Sequence, residues 1–365
     1  MQEDDKSKAS SAYPVVNSYN EWDPLEEVVL GIVDGATVPQ WHVTLQATMP
    51  SDQAHFYQQN QGKPFPQEQI DAANKDLEEF ARILEAEGVI VRRPEPIDHA
   101  KPFATQNWEC MSGLYAAMPR DILLVIGNEI IESPMAWRSR FFEINAYRPL
   151  LTDYFLRGAK WTAAPKPQLR DELYNYDYEH PTDSKNMKYA ITEFEATFDA
   201  ADFVRCGKDI FVQKSNVTNT MGINWLKRHL GDAYNVHVLE FNDTHPMHID
   251  ATFMPLAPGK VLVNPERVSE LPEMFRNWEL LYAPEPCMPN SHPLYMTSRW
   301  INMNILMLDE ERVIVEKGEE TIIKAFKRWG MKPIPCSFRN FNTFGGSFHC
   351  ATADIRRRGE LQSYF

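Results

Sequence analysis

Five short runs of aliphatic residues, each introduced by a charged residue and closed by a turn, recur along this chain of 365 residues. Such runs are typical of buried strands. Their recurrence favours one repeated α/β architecture over two unrelated domains, and it predicts small sheets in a ring with helices outside and a central funnel. Because the spacing of the runs is uneven, a chance repetition stays open. The runs are Glu27–Gly31, Asp121–Val125, Asp209–Val212, Lys260–Val263 and Arg312–Val315.

Three longer segments have the apolar spacing of amphipathic helices, and a glycine follows each of them. A glycine at this position favours a helix C-terminus, because it adopts the left-handed conformation without steric cost. Packing accounts for the apolar stripe of all three segments. The segments are Gln67–Glu87, Met221–Leu230 and Glu319–Trp329, followed by Gly88, Gly231 and Gly330.

The formal net charge of −14 disfavours a nucleic acid partner, because an acidic surface repels phosphate groups. The charge suits a cationic small substrate, and it is equally typical of an ordinary acidic protein. The five cysteines are widely spaced and include no C-x-x-C pair, which disfavours a disulfide framework or a zinc ribbon. Free thiols in a reducing cytoplasm are therefore expected.

The first residues of the chain, 1–15, are polar and acidic and predict a flexible N-terminal tail. They lack the build of a signal or transit peptide, and no apolar run in the chain approaches the length that crosses a bilayer. The proline-rich stretches at 163–167 and 283–286 are too short to link separate domains. A single α/β domain over residues 16–365, without membrane contact, is expected.

Cys350 lies shortly after the glycine pair Gly345-Gly346. Paired glycines let the backbone approach a ligand closely. A reactive thiol needs positive charge nearby, and His349 and the run Arg356–Arg358 are close in sequence. Cys350 is therefore a candidate nucleophile, with a buried structural cysteine as the alternative.

The segment Asp243–Asp250 holds two histidines and two acids. It suits general acid–base chemistry, because a histidine exchanges protons near neutral pH. It also suits a metal site, since His245, His248 and Asp250 offer typical donor atoms. A polar surface turn is the third interpretation, and the three stay open on these residues alone.

Asp199 and Asp202 are separated by two alanines and flanked by Phe198 and Phe203. This composition indicates a carboxylate in a tight apolar corner, where it must be paired. A histidine N–H is a natural partner, as in triads of nucleophile, histidine and acid. A helix N-cap is the alternative.

Together these segments resemble the arginine:glycine amidinotransferase family of guanidino-modifying enzymes, in order from about Val16 to Phe365. The resemblance implies a fivefold pseudosymmetric α/β propeller of the pentein type, which agrees with the five strand runs. It also implies a transferase that uses L-arginine, needs no cofactor or metal, and is often a homodimer. The matching motifs are Asn20–Leu25, Pro134–Phe142, Phe198–Asp202, Met247–Phe253 and Gly345–Arg358.

The resemblance also implies a role for each candidate residue. Cys350 matches the family's nucleophile, His248 its general acid–base, and Asp199 the carboxylate that orients the histidine. Asp121 and Asp250 match the pair that binds the guanidinium group, so Asp250 serves the substrate rather than zinc. The other matches are Arg267 for the α-carboxylate and the polar pair Thr297 and Ser298. Met247 and His245 are also expected to line the substrate pocket.

Two departures from the family pattern concern the acceptor amine. Glycine-specific members carry Asn at the position of His245 and Ser at that of Thr297. Bacterial members use other acceptors, including an aminocyclitol phosphate and amines of alkaloid toxin pathways. An acceptor from specialised metabolism is therefore expected, with glycine as the alternative acceptor and an arginine deiminase-like hydrolysis as the rival reaction.

Overall fold

The computed structural model describes residues 14–50 and 53–365. Short strands and helices alternate along these ranges, which confirms the α/β class. Residues 1–13 of the predicted tail lie outside the described residues. No helix in the described ranges is long and apolar enough to cross a membrane.

The bounds of the regular elements are as follows. The strands are β1 (Leu25–Leu30), β2 (Ile90–Arg92), β3 (Phe103–Ala104), β4 (Glu109–Cys110), β5 (Leu123–Ile126), β6 (Glu129–Glu132), β7 (Lys160–Ala163), β8 (Phe203–Cys206), β9 (Asp209–Gln213), β10 (Asn235–Leu239), β11 (Phe253–Ala257), β12 (Lys260–Val263), β13 (Glu279–Tyr282), β14 (Leu306–Met307), β15 (Arg312–Glu316), β16 (Lys332–Cys336) and β17 (Thr352–Arg357). The helices are α1 (Val43–Thr48), α2 (Ala54–Asn60), α3 (Gln67–Ala86), α4 (Pro119–Ile122), α5 (Arg148–Leu156), α6 (Thr220–Leu230), α7 (Glu320–Arg328) and α8 (Arg339–Asn342).

Within the described ranges the strands form five three-stranded sheets and one two-stranded sheet. In each three-stranded sheet the middle strand pairs antiparallel with one neighbour and parallel with the other. The five predicted runs fall in five different sheets. None of these sheets is closed on itself, and the ring arrangement stays a prediction. The sheet orders are β17-β1-β2, β5-β6-β7, β8-β9-β10, β11-β12-β13 and β14-β15-β16.

The parallel strand of each sheet follows a crossover, because parallel neighbours cannot be joined by a tight turn. In four of the five sheets the crossover contains a helix, namely α3, α5, α6 or α7. In the remaining sheet, β11-β12-β13, it contains the short 3-10 turn Glu273–Phe275. The three predicted helices are confirmed as α3, α6 and α7. Gly88, Gly231 and Gly330 follow them with φ of 84°, 60° and 82°.

The second predicted strand run is partly wrong. Strand β5 begins at Leu123, while Asp121 and Ile122 belong to helix α4. The proline at the first position of α4 accounts for the difference, because its fixed φ suits a helical turn. The middle strand of this sheet is instead β6. Its terminal acids, Glu129 and Glu132, are buried and form ion pairs with Lys160 and Arg148. Because the acids are charged, the sequence pattern does not indicate a buried strand here.

The last strand of the chain joins the first sheet. β17 pairs antiparallel with β1, with Leu25 opposite Arg357 and Leu30 opposite Thr352. Because Cys350 precedes β17 by two residues, this pairing ties the candidate nucleophile to the start of the chain. The site therefore depends on contacts between both ends of the sequence.

Candidate active site

Cys350 lies in a turn just before β17, and its side chain is 3% exposed at the wall of a cavity of about 600 Å³. The two glycines before it are needed for this geometry. Gly345 has a φ of 95°, and a Cβ atom at Gly346 would lie 2.6 Å from the sulfur of Met118 and 2.8 Å from the Cβ of Cys350. The absence of a side chain at Gly346 thus lets its backbone pack directly against the side chain of Cys350.

His248 contacts two acids through its two ring nitrogens. Its Nε2 lies 3.2 Å from Oδ2 of Asp199, and its Nδ1 lies 3.7 Å from Oδ1 of Asp121. The backbone of His248 has a φ of 55°, in the left-handed region that few side chains adopt. This strained conformation holds the imidazole between the two carboxylates.

Asp199 is buried and fixed by neighbours other than the histidine. Trp137 Nε1 donates to its Oδ2 at 3.1 Å, and its own backbone N–H donates to Oγ1 of Thr218 at 3.1 Å. It immediately precedes the short 3-10 turn Ala200–Asp202. Asp199 is therefore a buried carboxylate paired with His248, as expected from the sequence.

Asp121 presents one unused oxygen. Its Oδ2 accepts a hydrogen bond of 2.7 Å from Arg140, whose guanidinium also binds Glu143 through two bonds. Its Oδ1 is buried and has no hydrogen-bond partner among the described residues. A buried carboxylate oxygen without a partner is costly, so this atom is suited to receive a ligand N–H.

Asp250 lies on the other side of the thiol. Its Oδ2 accepts from Asn304 Nδ2 at 2.7 Å and from His349 Nδ1 at 2.7 Å, and it lies 3.7 Å from Cys350 Sγ. Asn304 Nδ2 also lies 3.1 Å from the same sulfur. The sulfur thus lies beside a hydrogen-bonded pair formed by an acid and an amide, and it contacts both.

The pKa shifts follow from burial and from these acids. Burial raises the pKa of the Cys350 thiol to about 12, and the charge of Asp250 adds to the rise. Burial lowers the pKa of His248, but Asp121 and Asp199 more than offset it, so the pKa lies well above 6.5. These side chains by themselves favour a neutral thiol beside a protonated imidazole. A cationic ligand bound near the acids would lower the pKa of the thiol.

The predicted outer residues line the same cavity. Arg267 lies at the cavity wall, where its guanidinium is 3.4 Å from Ser298 Oγ, 3.0 Å from Thr252 Oγ1 and 3.3 Å from Asp243. An exposed face of a guanidinium suits a carboxylate ligand. The other predicted residues on the cavity wall are Met247, Thr297 and Ser298.

His245 borders the cavity but does not join the inner cluster. Its Nδ1 lies 2.8 Å from Thr244 Oγ1, and its ring lies 4.7 Å from the ring of His180, which belongs to a neighbouring loop. The metal interpretation built on His245, His248 and Asp250 is therefore not supported by the geometry. In the described ranges, the group of three residues whose donor atoms all lie within 4.8 Å of one another is Asp121, His248 and Cys350.

Four residues of this site were missed by reasoning from the sequence. Trp137 and Arg140 belong to a quoted motif, which could have drawn attention to their donors. His349 was noted only as a neighbour of Cys350. Asn304 carries no local signal, because it lies in the mainly apolar stretch at 300–307.

Comparison with known proteins gives close relatives, although no family model matches the chain. The chain is 62% identical over 349 residues to an L-arginine:L-lysine amidinotransferase of Pseudomonas savastanoi pv. phaseolicola, with 96% of each chain covered. It is 52% identical to the mitochondrial glycine amidinotransferase of Danio rerio, over 96% of this chain and 85% of that protein. A solved amidinotransferase of the saxitoxin biosynthetic pathway from Microseira wollei superposes with a TM-score of 0.89 at 55% identity, over 96% of this chain and 99% of that chain.

Proposed function

This chain belongs to the arginine:glycine amidinotransferase family, and on that premise we propose that it moves the amidino group of L-arginine to an acceptor amine and releases ornithine. The observation that carries the proposal is the position of the Cys350 thiol. Its sulfur lies within 4.8 Å of donor atoms of Asp121 and His248, and 3.7 Å from Asp250. A nucleophile between two acids suits a flat cationic carbon centre.

The donor pocket fits arginine at both ends. Asp250 lines the cavity, whereas Asp121 does not, and its buried Oδ1 lies 3.7 Å from Nδ1 of the cavity-lining His248. Both carboxylates would accept N–H groups of the guanidinium, which holds its central carbon before the sulfur. Arg267 on the cavity wall would bind the α-carboxylate, with Ser298 and Thr297 beside it. These contacts support a guanidino amino acid as the first substrate.

The first half-reaction forms a bond between Cys350 Sγ and the guanidinium carbon. Binding of the cation offsets the acids that raise the pKa of the thiol, so the thiol loses its proton to solvent and the thiolate attacks. The tetrahedral intermediate collapses when its bond to the δ-nitrogen of ornithine breaks. His248, held protonated by Asp121 and Asp199, donates the proton that this nitrogen needs to leave.

The second half-reaction regenerates the thiolate. The amidino-cysteine is attacked by the nitrogen of the acceptor amine, and neutral His248 accepts the proton that this nitrogen loses. The carbon–sulfur bond then breaks and the guanidino product leaves. Asp199 keeps the imidazole in one orientation through both steps, because its bond to Nε2 leaves Nδ1 directed to the reacting atoms.

The acceptor is proposed to be an amine of a natural-product pathway, such as an alkaloid toxin or aminocyclitol precursor, with glycine as the alternative. The relative at 62% identity is named for lysine and the one at 52% for glycine, which makes both amino acids specific candidates. The solved relative of the saxitoxin pathway supports a role in specialised metabolism. Of these two amino acids lysine ranks before glycine as a candidate, because the relative named for lysine has the higher identity.

The same family membership supports the ring arrangement of the fold. We propose that the five three-stranded sheets form a fivefold α/β propeller with the cavity in its central funnel. The shared pairing order of the five sheets supports this proposal.

The test is an acceptor screen with L-arginine, in which ornithine release is measured with lysine, glycine and larger amines. Transfer predicts that ornithine accumulates steadily only when an amine is present. Steady citrulline release without an amine would instead favour hydrolysis. Loss of activity on treatment with a chelator would favour a metal-dependent reaction and contradict the mechanism.

A further inference from the structure

A buried histidine without a role in the steps above lies directly behind the guanidinium-binding acid. His349 is 1% exposed, and its Nδ1 lies 2.7 Å from Oδ2 of Asp250. On its other side Nε2 lies 3.2 Å from Oε2 of Glu21, which is also 1% exposed. We propose that Glu21 and His349 are positioning residues that hold Asp250 ionised and correctly oriented for the guanidinium of the donor. This inference rests on the proposed function.

Both ring nitrogens of His349 face carboxylate oxygens, one of Asp250 and one of Glu21. An ionised carboxylate only accepts hydrogen bonds, and an imidazole donates from both nitrogens only when both carry hydrogen. In this arrangement a histidine can donate to both acids at once and stabilise the ionised form of Asp250. A histidine kept only for packing would need no acid on each side.

The surroundings of Glu21 favour its ionised form, which accepts a hydrogen bond from His349. Arg205 binds both oxygens of Glu21, at 2.8 and 2.6 Å, and Arg120 lies 3.7 Å from one of them. Burial raises the pKa of Glu21, but Arg205 and His349 outweigh it and hold the pKa well below 4.5. Asp354 pairs with both arginines and balances their charge.

The consequence falls on Asp250. In the described residues, each hydrogen bond that Asp250 accepts is made to its Oδ2. Its Oδ1 is therefore left to bind the guanidinium of arginine. The charged groups around it are His349, His248 and Arg120, beside the thiol of Cys350. Burial would raise the pKa of Asp250, but the bond and charge of His349 lead the effects that lower it.

Loss of the histidine charge therefore predicts weaker arginine binding that worsens as the pH falls, because a neutral acid cannot balance a cation. The experiment measures arginine binding by calorimetry in the non-transferring Cys350→Ser protein, with and without His349→Asn or Glu21→Gln. His349→Asn keeps a neutral donor toward Asp250, and Glu21→Gln keeps the shape of its side chain. Each is expected to weaken binding by roughly tenfold, as for one charge-assisted hydrogen bond, and to move the acidic loss of binding to higher pH.

The matched control is His237→Asn, which breaks a histidine–carboxylate pair of 2.7 Å with Asp209 on another sheet. It is expected to leave arginine affinity unchanged. Arginine affinity and pH dependence equal to those of the parent in both test variants would overturn the inference alone. If the Cys350→Ser parent does not bind arginine, the proposed donor site fails and the inference with it. If His349→Asn does not fold, Glu21→Gln decides.

Discussion

The side-chain nitrogen of Asn304 lies 3.1 Å from the sulfur of Cys350. The carbonyl oxygen of the same amide accepts from the backbone N–H groups of Cys350 and Ser347, at 3.1 and 3.2 Å. These two bonds fix which end of the amide faces the sulfur. Asn304 is thus placed to donate a hydrogen bond to a thiolate, and this donor becomes stronger as negative charge develops.

Asn304→Ala is expected to slow formation of the amidino-cysteine by roughly 10- to 100-fold, because a hydrogen bond to a charged group contributes about 1.5–3 kcal/mol. Asn304→Asp is expected to be slower still, since it places a further negative charge beside the sulfur. Single-turnover release of ornithine measures this step. The control is Asn302→Ala in the 3-10 turn Arg299–Met303, which Asn304 immediately follows, and a decrease as large as that of Asn304→Ala would contradict the role.

Cys350→Ser is expected to abolish transfer while the protein still folds and binds arginine. The hydroxyl is nearly isosteric with the thiol but is far less readily ionised in a buried site flanked by Asp250. Mass spectrometry of the arginine-treated wild-type protein should detect one amidino group on Cys350, and none in the variant. Arginine turnover by the variant near the wild-type rate would exclude the covalent mechanism.

His248→Ala is expected to lose both half-reactions, because one imidazole protonates ornithine and later accepts the proton of the acceptor. Asp199→Asn should leave the cavity intact but lower the rate by about 10²–10⁴-fold, since an amide no longer stabilises the charged, oriented ring. Ornithine release and acceptor guanidination are measured separately. A His248→Ala protein that forms the amidino-cysteine normally would show that another group protonates ornithine.

Reasoning from the sequence reached the strand runs and the helices because those depend on local patterns. The runs at 209–212, 260–263 and 312–315 are apolar after their first, charged residue, and each lies in the middle of its sheet. β6 was missed because its ends are acids, and only the folded chain shows that Lys160 and Arg148 pair with them. A local pattern cannot reveal compensation from distant residues.

In the inner site, too, some residues could be predicted from local sequence and others depend on distant contacts. Cys350, His248 and Asp199 could be proposed from motifs, since each lies in an unusual local sequence. Asn304 and Glu21 could not, because their importance comes from contacts 46 and 328 residues apart along the chain, to Cys350 and His349. The fold brings these distant segments together, as it does β1 and β17.

His245 is expected to affect the acceptor step and not the donor step. It borders the cavity and contacts His180 instead of the inner acids. His245→Asn should change the KM for lysine or another acceptor by several-fold while ornithine release in a single turnover stays at the wild-type rate. Screening the acceptors against the variant measures this, with Met221→Ala on the exposed face of α6 as a control. An equal loss in both steps would contradict a role limited to the acceptor.

The ionisation of Cys350 is expected to depend on the charge between Asp121 and Asp250. Burial and Asp250 raise the pKa of the thiol to about 12, so the free protein should show its thiolate absorbance only at alkaline pH. The guanidinium ion, a cation without the ornithine leaving group, should offset these acids and move the ionisation to lower pH. Asp250→Asn should do the same without any ligand, by roughly one pH unit or more, because it removes a negative charge near the sulfur.

The measurement is the ultraviolet absorbance difference between proteins with and without the Cys350→Ser change, which cancels the other four cysteines. A raised pKa means that the thiol is neutral below it and ionises as the pH rises through it, so a downward shift increases the thiolate fraction at neutral pH. If Asp250→Asn moved the ionisation to higher pH, the acid would be stabilising the thiolate through its neighbours. That result would contradict the proposal that the positive charge of the bound guanidinium lowers the pKa of the Cys350 thiol.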